Sequence, residues 1–218
     1  MKTGGTTHTQ HGHRWFAAMY DPIMRQCEGK LLRELRPCVA GKATGRVLEI
    51  GAGTGANWPY YKTVEHIVAT EPDPYMLQRA KRRAAELGFG VEFLRCPAED
   101  LPFADASFDT VVSTLVLCTV DEPARALREV KRVLKPNGTF RFIEHVRADE
   151  RIAGRVQDIL TPAWGWFGAG CHLNRRTGDL IKAEGFEVVK LEQRPMPLVP
   201  MIVGVSRPKG AQADYTEG

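Results

Sequence analysis

The stretch Val47-Leu48-Glu49-Ile50-Gly51-Ala52-Gly53-Thr54-Gly55 decides the fold of this chain. A short apolar run ends in alternating glycines, which is typical of a buried strand followed by a tight turn. Because glycine lacks a β-carbon, a ligand can approach the backbone of such a turn closely. Glu71 lies 20 residues beyond Gly51, at the end of the next predicted strand, where a carboxylate can accept hydrogen bonds from ribose hydroxyls. Together the two features predict a cofactor site.

Two classes of cofactor compete for this site. Gly51, Gly53 and Ala56 also satisfy the G-x-G-x-x-A fingerprint of nicotinamide-binding domains, with an acidic residue at the expected distance. Glu49, however, places a carboxylate directly before the glycines, and 46 residues precede the strand. A carboxylate repels an anionic pyrophosphate but attracts the sulfonium and ammonium groups of S-adenosylmethionine. The pattern therefore favours S-adenosylmethionine, and a glycine-rich turn without a ligand is the structural alternative.

Predicted strands and helices alternate outward from this unit. Strands are predicted at 47–50, 64–70, 91–94, 108–113, 139–144, 186–192 and 201–206. Helices are predicted within 15–36, from near Gly55, and at 73–87, 123–133 and 177–183, with a turn at Pro136-Asn137-Gly138. The alternation predicts an α/β fold with a seven-stranded, mainly parallel sheet and helices on both faces. The last two strands have no helix between them, which predicts an antiparallel C-terminal edge.

The 218 residues suit one domain. We assign residues 14–208 to it, with N-terminal helices in 14–45, and residues 1–13 and 209–218 to flexible tails. The net charge of +4 comes from basic and acidic residues spread along the chain, so no nucleic-acid partner is expected. No apolar run approaches the roughly 18 residues that span a bilayer. Without a secretory signal either, the chain is expected to be soluble and cytoplasmic.

The cysteines suggest no special chemistry. Their number is odd, and the sequence has no CxxC pair, which argues against a disulfide framework and a tetrahedral zinc site. Cys118 and Cys171 stand beside apolar residues and are interpreted as packing. His8, His11 and His13 are interpreted as solvated residues of the tail. No metal is therefore expected.

From about His13 to Pro208 the chain resembles class I S-adenosylmethionine-dependent methyltransferases of the Methyltransf_11, UbiE/COQ5-like group. Four segments are similar to the methyltransferase-like protein 7 branch, whose members are thiol S-methyltransferases: Thr114 to Cys118, Leu127 to Pro136, Glu144 to Val146 and Gly170 to Leu173. The animal members of that branch begin with a hydrophobic segment, whereas this chain begins with a polar one. The resemblance implies a Rossmann-like class I methyltransferase fold.

The resemblance also implies which residues hold S-adenosylmethionine. The glycine turn wraps its methionine part, Glu71 holds the ribose, and Ala98 and Glu99 flank the adenine. Many relatives have an Asp where this chain has Pro97, so Glu99 or a backbone carbonyl must accept from the adenine amino group. The whole expected set is Tyr20, Glu49, Gly51, Ala52, Gly53, Gly55, Glu71, Pro72, Ala98, Glu99, Thr114 and Leu115.

The acceptor is expected to be a small, fairly apolar molecule, with a thiol as the first candidate. His145 follows the fifth predicted strand and is the candidate base, or else a histidine hydrogen-bonded within a loop; His172 is a second candidate. Arg175 lies in the same loop as His172, and Trp164, Trp166 and Phe167 form either an acceptor pocket or part of the core. The alternatives are C-methylation of a quinone precursor, N-methylation of a phospholipid, and cofactor binding without turnover.

Overall fold

The computed structural model describes residues 29–167, 171–194, 196 and 199–210, and for 162–167 it describes the backbone alone. The strands are β1 (Thr44–Ile50), β2 (Thr63–Thr70), β3 (Glu92–Leu94), β4 (Phe108–Thr114), β5 (Leu134–His145), β6 (Phe186–Arg194) and β7 (Met201–Pro208). The α-helices are α1 (Gly29–Val39), α2 (Pro74–Glu86), α3 (Pro123–Val133), α4 (Arg151–Phe167) and α5 (Thr177–Ala183).

All seven strands form one sheet in the order β3-β2-β1-β4-β5-β7-β6. Strands β1 to β5 pair in parallel, whereas β7 is antiparallel to both β5 and β6. The predicted sheet and its antiparallel edge are confirmed. The chain moves outward in one direction from β1 to β3 and then returns to place β4 on the other side of β1. Such a switch point opens a crevice at the carboxyl ends of the central strands, where ligands of open α/β sheets bind.

The core lies on both faces of the sheet because successive strand residues point to opposite sides. Val47 and Ile143 belong to one buried cluster, and their chain neighbours Leu48 and Phe142 belong to the other. The apolar stripe of α3 is fully buried in the second cluster and consists of Ala126, Leu127, Val130 and Val133. Fully burying one such aliphatic or aromatic side chain stabilises the fold by about 1.5–3 kcal/mol.

Helix α2 begins as its sequence predicts. The Asp73 carboxylate accepts hydrogen bonds from the backbone N–H groups of Tyr75 (2.7 Å) and Met76 (3.1 Å). Pro74 occupies the first turn, where a helix has no partner for its N–H. The cap fixes the direction in which the chain leaves the end of β2, and the end of β2 carries Glu71.

The predicted helix near Gly55 is wrong. Between β1 and β2 the described chain contains only a 3₁₀ turn at Trp58–Tyr60. Gly51, Gly53 and Gly55 all have positive φ, at 56°, 57° and 76°. That conformation is incompatible with a right-handed helix, so the first crossover remains a loop.

Three further differences concern segment boundaries. Helix α1 continues past Pro37 to Val39, because a proline in the last turn removes a single hydrogen bond while Leu32, Leu35 and Val39 are buried. Residues 136–138 lie within β5, near a shift in its register with β4, and do not form the predicted separate turn. Helix α4 was not predicted, because exposed apolar residues such as Ile152 and Ile159 interrupt its periodicity.

Among the described residues, no helix has both the length and the apolar character needed to cross a membrane.

Candidate active site

The glycine loop after β1 is tied to the end of β2. The Ala52 N–H donates to the Thr70 carbonyl (2.9 Å), and the Gly53 N–H donates to Oε2 of Glu71 (2.8 Å). Two successive loop residues are therefore hydrogen-bonded to Thr70, the last residue of β2, and to Glu71, which follows it. The predicted pairing of the loop with Glu71 is present in the structure as a direct contact.

Two glycines of this loop are required for different reasons. A β-carbon on Gly51 would lie 2.6 Å from Cγ2 of Val116, so this glycine lets the loop pack against the segment after β4. Among the described residues, a β-carbon on Gly53 would meet no atom within 4 Å, although its φ of +57° is also left-handed. Gly53 therefore borders open space beside the Glu71 carboxylate. A glycine next to an open space and a carboxylate fits a ligand with hydroxyl groups.

Glu71 is a buried carboxylate with spare acceptor capacity. Its Oε1 accepts from the Asp73 N–H (2.9 Å), its Oε2 accepts from Gly53, and its exposed fraction is 7%. Burial raises the pKa of Glu71 from 4.5 to about 7, and the two backbone hydrogen bonds offset part of that rise. Each carboxylate oxygen has a further lone pair for a donor such as a ribose hydroxyl. Pro72 follows directly, and its carbonyl accepts from Nε of Arg95 (2.9 Å).

Glu49 lies at the centre of a buried polar network behind the loop. Its Oε2 accepts from the Tyr61 hydroxyl (2.5 Å), and its Oε1 accepts from Nδ2 of Asn57 (3.0 Å). Burial raises the pKa of Glu49 to about 7 against the lowering effect of these hydrogen bonds. Asn57 also donates to Oγ1 of Thr114 (3.1 Å) and accepts from Arg36 (2.5 Å). It thereby connects β1, β4 and α1.

The residues expected around the adenine, Ala98 and Glu99, follow β3 in the chain. Ala98 is buried, and the Glu99 side chain is half-buried. Oε1 of Glu99 accepts from the backbone N–H groups of Asp121 (3.1 Å) and Glu122 (3.4 Å). This carboxylate therefore holds the segment before α3 in place.

The turn after β4 is strained and held by Glu144. Leu115 has a φ of 59°, which costs an L-residue roughly 1–2 kcal/mol. Oε1 of the fully buried Glu144 accepts from Oγ of Ser113 (2.7 Å) and from the N–H groups of Val116 (3.1 Å) and Leu117 (3.0 Å). Its Oε2 accepts from the N–H of Cys118 (3.2 Å). Burial raises the pKa of Glu144 above its usual range.

His145, at the end of β5, lies against two cysteines. Its Nδ1 is 3.9 Å from Sγ of Cys118 and 3.5 Å from Sγ of Cys171. All three side chains are buried. The cysteines were interpreted as packing because each stands alone beside apolar residues. The structure brings them together with the histidine that the sequence singled out.

The segment from Cys171 to Arg175, which we call the strap, is hydrogen-bonded to the segment after β4. The His172 N–H donates to the Cys118 carbonyl (2.7 Å), and the Arg175 guanidinium donates to the carbonyls of Leu117 (2.7 Å) and Val120 (2.6 Å). The Arg175 side chain is thus committed to backbone carbonyls. Within the described residues, Nδ1 of His172 is buried and has no hydrogen-bond partner.

A cavity of about 440 Å³ opens beside the end of β5. Val146, Met196 and Met201 form part of its apolar wall, and Arg147 and Gln193 add polar groups. Val146 follows His145 in the chain, and Met201 is the partner of His145 in the ladder between β5 and β7. The volume suits a small organic molecule.

Comparison with known proteins identifies the family. The Methyltransferase domain family model matches residues 48–142. The chain is 37% identical over 189 residues to thiol S-methyltransferase TMT1B of Homo sapiens, covering 83% of this chain and 77% of that protein. It is 34% identical over 188 residues to thiol S-methyltransferase TMT1A of Homo sapiens, covering 84% and 77%. The chain belongs to this methyltransferase family.

The fold of this methyltransferase also matches solved structures. The crystal structure of a SAM-dependent methyltransferase from Aquifex aeolicus superposes with a TM-score of 0.62 at 18% identity, covering 89% of this chain and 98% of that one. At that identity the likeness concerns the fold. The family, and with it dependence on S-adenosylmethionine, is given by the closer sequence relatives.

Several expected site residues of this methyltransferase lie outside what the structure describes: Tyr20 and the side chains of Trp164, Trp166 and Phe167. Other site residues were not found from the sequence. Asn57 follows the glycine loop directly, and that position was the only available signal for it. Glu144 was noted as part of a motif, but a carboxylate inside a predicted strand does not reveal that it accepts from a turn almost 30 residues earlier.

Proposed function

We propose that this methyltransferase transfers the methyl group of S-adenosylmethionine to a small apolar thiol. The proposal depends on how far along the chain the similarity to the thiol S-methyltransferases extends. The family model ends at residue 142, whereas 189 residues align with the human thiol S-methyltransferase TMT1B. An alignment of that length must extend well beyond the cofactor-binding half, into segments that form the acceptor side.

For the cofactor, we assign binding to the loop after β1 and the residues that face it. Gly51, Ala52, Gly53 and Gly55 are assigned to the methionine part, and Gly53 is the glycine of this loop that borders open space among the described residues. Glu71, followed by Pro72, accepts from the ribose hydroxyls. Ala98 and Glu99 border the adenine, and Thr114 and Leu115 close the far side at the end of β4. The Glu99 carboxylate is already used by backbone N–H groups, which favours a backbone carbonyl as the acceptor for the adenine amino group.

Electrostatics favours a cationic ligand at this site. Glu49 directly precedes the loop and Glu71 accepts from its Gly53 N–H, and burial raises the pKa of each carboxyl group to about 7. A cation nearby stabilises both carboxylates, and the carboxylates in turn stabilise the cation. Bound S-adenosylmethionine supplies a methyl group on a sulfonium, from which a neutral thioether departs. The tasks left for the protein are to align the acceptor and exclude water.

On the acceptor side, the groups available fit a thiol. A free thiol with a pKa of about 8.5 is only a few per cent ionised at neutral pH, so a nearby base or cation raises the reactive fraction. Among the described residues, Nδ1 of His172 is a buried nitrogen without a hydrogen-bond partner, so its lone pair is available to a donor such as a thiol. His145 as a base stays a prediction, since its Nδ1 faces two cysteine sulfurs. The cavity at Val146 and Met201 provides an apolar approach to the end of β5.

The test is formation of S-adenosylhomocysteine by the purified protein. S-adenosylmethionine is offered with a series of alkyl thiols, with quinone precursors and with phosphatidylethanolamine vesicles. We expect turnover with thiols and none with the matching alcohols. The variant Glu71→Gln serves as a binding-deficient control. Turnover restricted to quinone precursors or to lipid would overturn the thiol proposal while leaving the methyltransferase assignment intact.

A further inference from the structure

Three side chains with metal-binding atoms converge beneath the strap between Cys171 and Arg175. Sγ of Cys118, Nδ1 of His145 and Sγ of Cys171 all lie within 4.8 Å of one another. They come from the turn after β4, the end of β5 and the segment before α5. Three separate elements thus deliver two sulfurs and one imidazole nitrogen to a single buried point.

The spacing of these atoms matches the coordination geometry of zinc. With Zn–S near 2.3 Å and Zn–N near 2.05 Å, two ligands at tetrahedral angles are separated by about 3.6 Å for a sulfur–nitrogen pair. The two sulfur–nitrogen distances are 3.9 Å and 3.5 Å, one on either side of that value. For these two pairs, the separation differs from the tetrahedral value by about 0.3 Å or less.

The three side chains also interact by hydrogen bonding, and Cys118 bonds to Cys171 as well as approaching His145. Nδ1 of a neutral imidazole has a single lone pair in the ring plane, so it accepts one thiol proton well. Here two cysteine sulfurs approach the same nitrogen. A metal ion placed between the three atoms uses the nitrogen lone pair once and takes a lone pair from each sulfur as well.

Charge balance also favours a divalent ion. Binding releases the protons of Cys118 and Cys171 to solvent. The two negative charges of the thiolates then cancel the two positive charges of Zn²⁺, and the imidazole is neutral. The cluster shares its buried environment with apolar residues such as Leu115, Ile143 and Met201. The centre without the acceptor is therefore neutral, which avoids the cost of placing a net charge in such surroundings. The Arg175 guanidinium, which interacts electrostatically with both cysteines, offsets the further negative charge of an acceptor thiolate. Sulfur and imidazole ligands select zinc over magnesium or calcium.

The ligands are held in place by contacts that do not need the metal. The Cys118 N–H is bonded to Glu144 and its carbonyl accepts from His172, so the backbone on both sides of this sulfur is restrained. Cys171 directly precedes His172 in the same strap. Ligands that are fixed in advance bind a metal more tightly than flexible ones.

We propose that Cys118, His145 and Cys171 bind Zn²⁺ and that the fourth coordination position takes the acceptor thiol as its thiolate. Three protein ligands with one open position are typical of catalytic zinc sites, and a coordinated thiol loses its proton. The second half of this proposal rests on the proposed function. The thiol releases its proton to solvent, and its sulfur then forms a bond to the methyl carbon. The bond from that carbon to the sulfonium sulfur breaks, and its electron pair stays on the leaving sulfur.

This inference departs from the sequence-based expectation that no metal is bound. Ligand spacing along the chain is informative for short metal-binding motifs, but here the three ligands are contributed by distant segments. The strand order places β4 beside β5, and this pairing brings Cys118 and His145 together.

The first experiment measures metal binding without any acceptor. His8, His11 and His13 are changed to Asn in every variant so that the N-terminal histidines do not contribute. We expect about one zinc per chain by elemental analysis, and a Co²⁺ form with thiolate-to-cobalt charge-transfer absorption. Cys118→Ser and Cys171→Ser should weaken zinc binding more than about 100-fold, whereas Cys38→Ser, at an exposed cysteine outside the cluster, should not.

Unchanged S-adenosylhomocysteine affinity verifies that each variant is folded. Zinc retained by both cluster variants, or a Cys118–Cys171 disulfide in the freshly purified protein, overturns the site.

The second experiment tests the fourth position. Adding an alkyl thiol to the Co²⁺ form should shift the charge-transfer band, whereas the matching alcohol should not. Removing the metal with a chelator should lower thiol methylation at least about tenfold while S-adenosylhomocysteine still binds. Equal turnover by metal-free protein overturns the role in thiol binding and leaves thiol methylation standing. If zinc binds but no thiol is methylated, the proposed function and the role of the fourth position in thiol binding are both overturned. The zinc site itself would still stand.

Discussion

At the scale of single residues, Glu71 combines deep burial with unused acceptor capacity. We expect Glu71→Gln to weaken S-adenosylhomocysteine binding by about 1–3 kcal/mol, because the ribose hydroxyls lose a charged acceptor. In the wild type, affinity should also fall as the pH drops through about 7, where Glu71 takes up a proton. Isothermal titration calorimetry between pH 6 and 8 measures both effects.

Glu86→Gln is the matched control for this substitution, since Glu86 is an exposed residue of α2 away from the loop. It should bind the product with wild-type affinity and keep the wild-type pH dependence. If Glu71→Gln bound equally well, or kept the same pH dependence, Glu71 would have no contact with the ribose.

At the scale of the elements, the glycine loop offers a comparison between two positions of similar geometry. Gly53 and Gly88 have φ values of +57° and +63°, and a β-carbon at either would meet nothing within 4 Å in the part of the chain that the structure describes. Gly53→Ala and Gly88→Ala should therefore each lower the free energy of unfolding by a similar amount, about 1 kcal/mol. Only Gly53→Ala should impair cofactor binding, because only that β-carbon enters the space beside Glu71.

Urea unfolding and calorimetric titration of the two variants separate these effects. Equal cofactor affinity in both would show that the open space beside Gly53 is not where the ligand lies. A much larger loss of stability in Gly53→Ala would instead indicate a contact that the structure does not contain.

The turn after β4 depends on one carboxylate. Glu144→Ala leaves three backbone N–H groups and the Ser113 hydroxyl without their acceptor in a buried region. We expect the free energy of unfolding to fall by about 3 kcal/mol or more. Glu122→Ala, at an exposed position before α3, should change it by less than about 0.5 kcal/mol. Urea denaturation measures both, and a small loss for Glu144→Ala would mean that the turn is held by packing alone.

At the scale of the whole molecule, the buried acids make stability depend on pH. The pKa of Glu49 rises from 4.5 to about 7 on folding, so its contribution to stability is complete below about 4.5 and is lost as the pH rises through 7. The shift corresponds to an effect on the order of 3 kcal/mol. Carboxylates with lowered pKa values, Asp109 and Glu129 among them, act in the opposite direction.

The comparison of wild type with Glu49→Gln isolates this contribution. Relative to the wild type, the variant should gain stability between pH 5 and pH 7.5, because it no longer has to bury a carboxylate at the higher pH. Urea unfolding of the cofactor-free protein at the two pH values gives the difference. A constant difference between the two proteins would place the titration of Glu49 outside this range.

Much of the fold follows from local sequence patterns. Helix α3 and the cap of α2 were predicted because each depends on residues within a few positions of one another. Helix α4 was missed because part of its apolar surface is exposed, so burial does not impose a regular stripe on its sequence. The helix predicted near Gly55 is absent because three glycines with positive φ hold this crossover as a loop, although its length would allow a helix.

The same distinction between local and distant contacts applies to the residues of the candidate site. Glu71 could be found because its distance from the glycine loop reflects the length of a single strand–loop–strand unit. Asn57 and Glu144 were missed because their partners are contributed by other strands, as when Asn57 joins Glu49 to Thr114. A hydrogen bond between distant segments leaves no regular spacing in the sequence.

Local sequence patterns were enough for the fold class, the glycine loop with its acidic neighbour, and the methyltransferase family, because each depends on contiguous segments whose periodicity and spacing are preserved on folding. The meeting of Cys118, His145 and Cys171 is visible only in the tertiary structure. Their meeting requires β4 to pair with β5 and the segment before α5 to lie across that pair. The order of strands in the sheet brings such residues together, and it arises from packing across the whole domain.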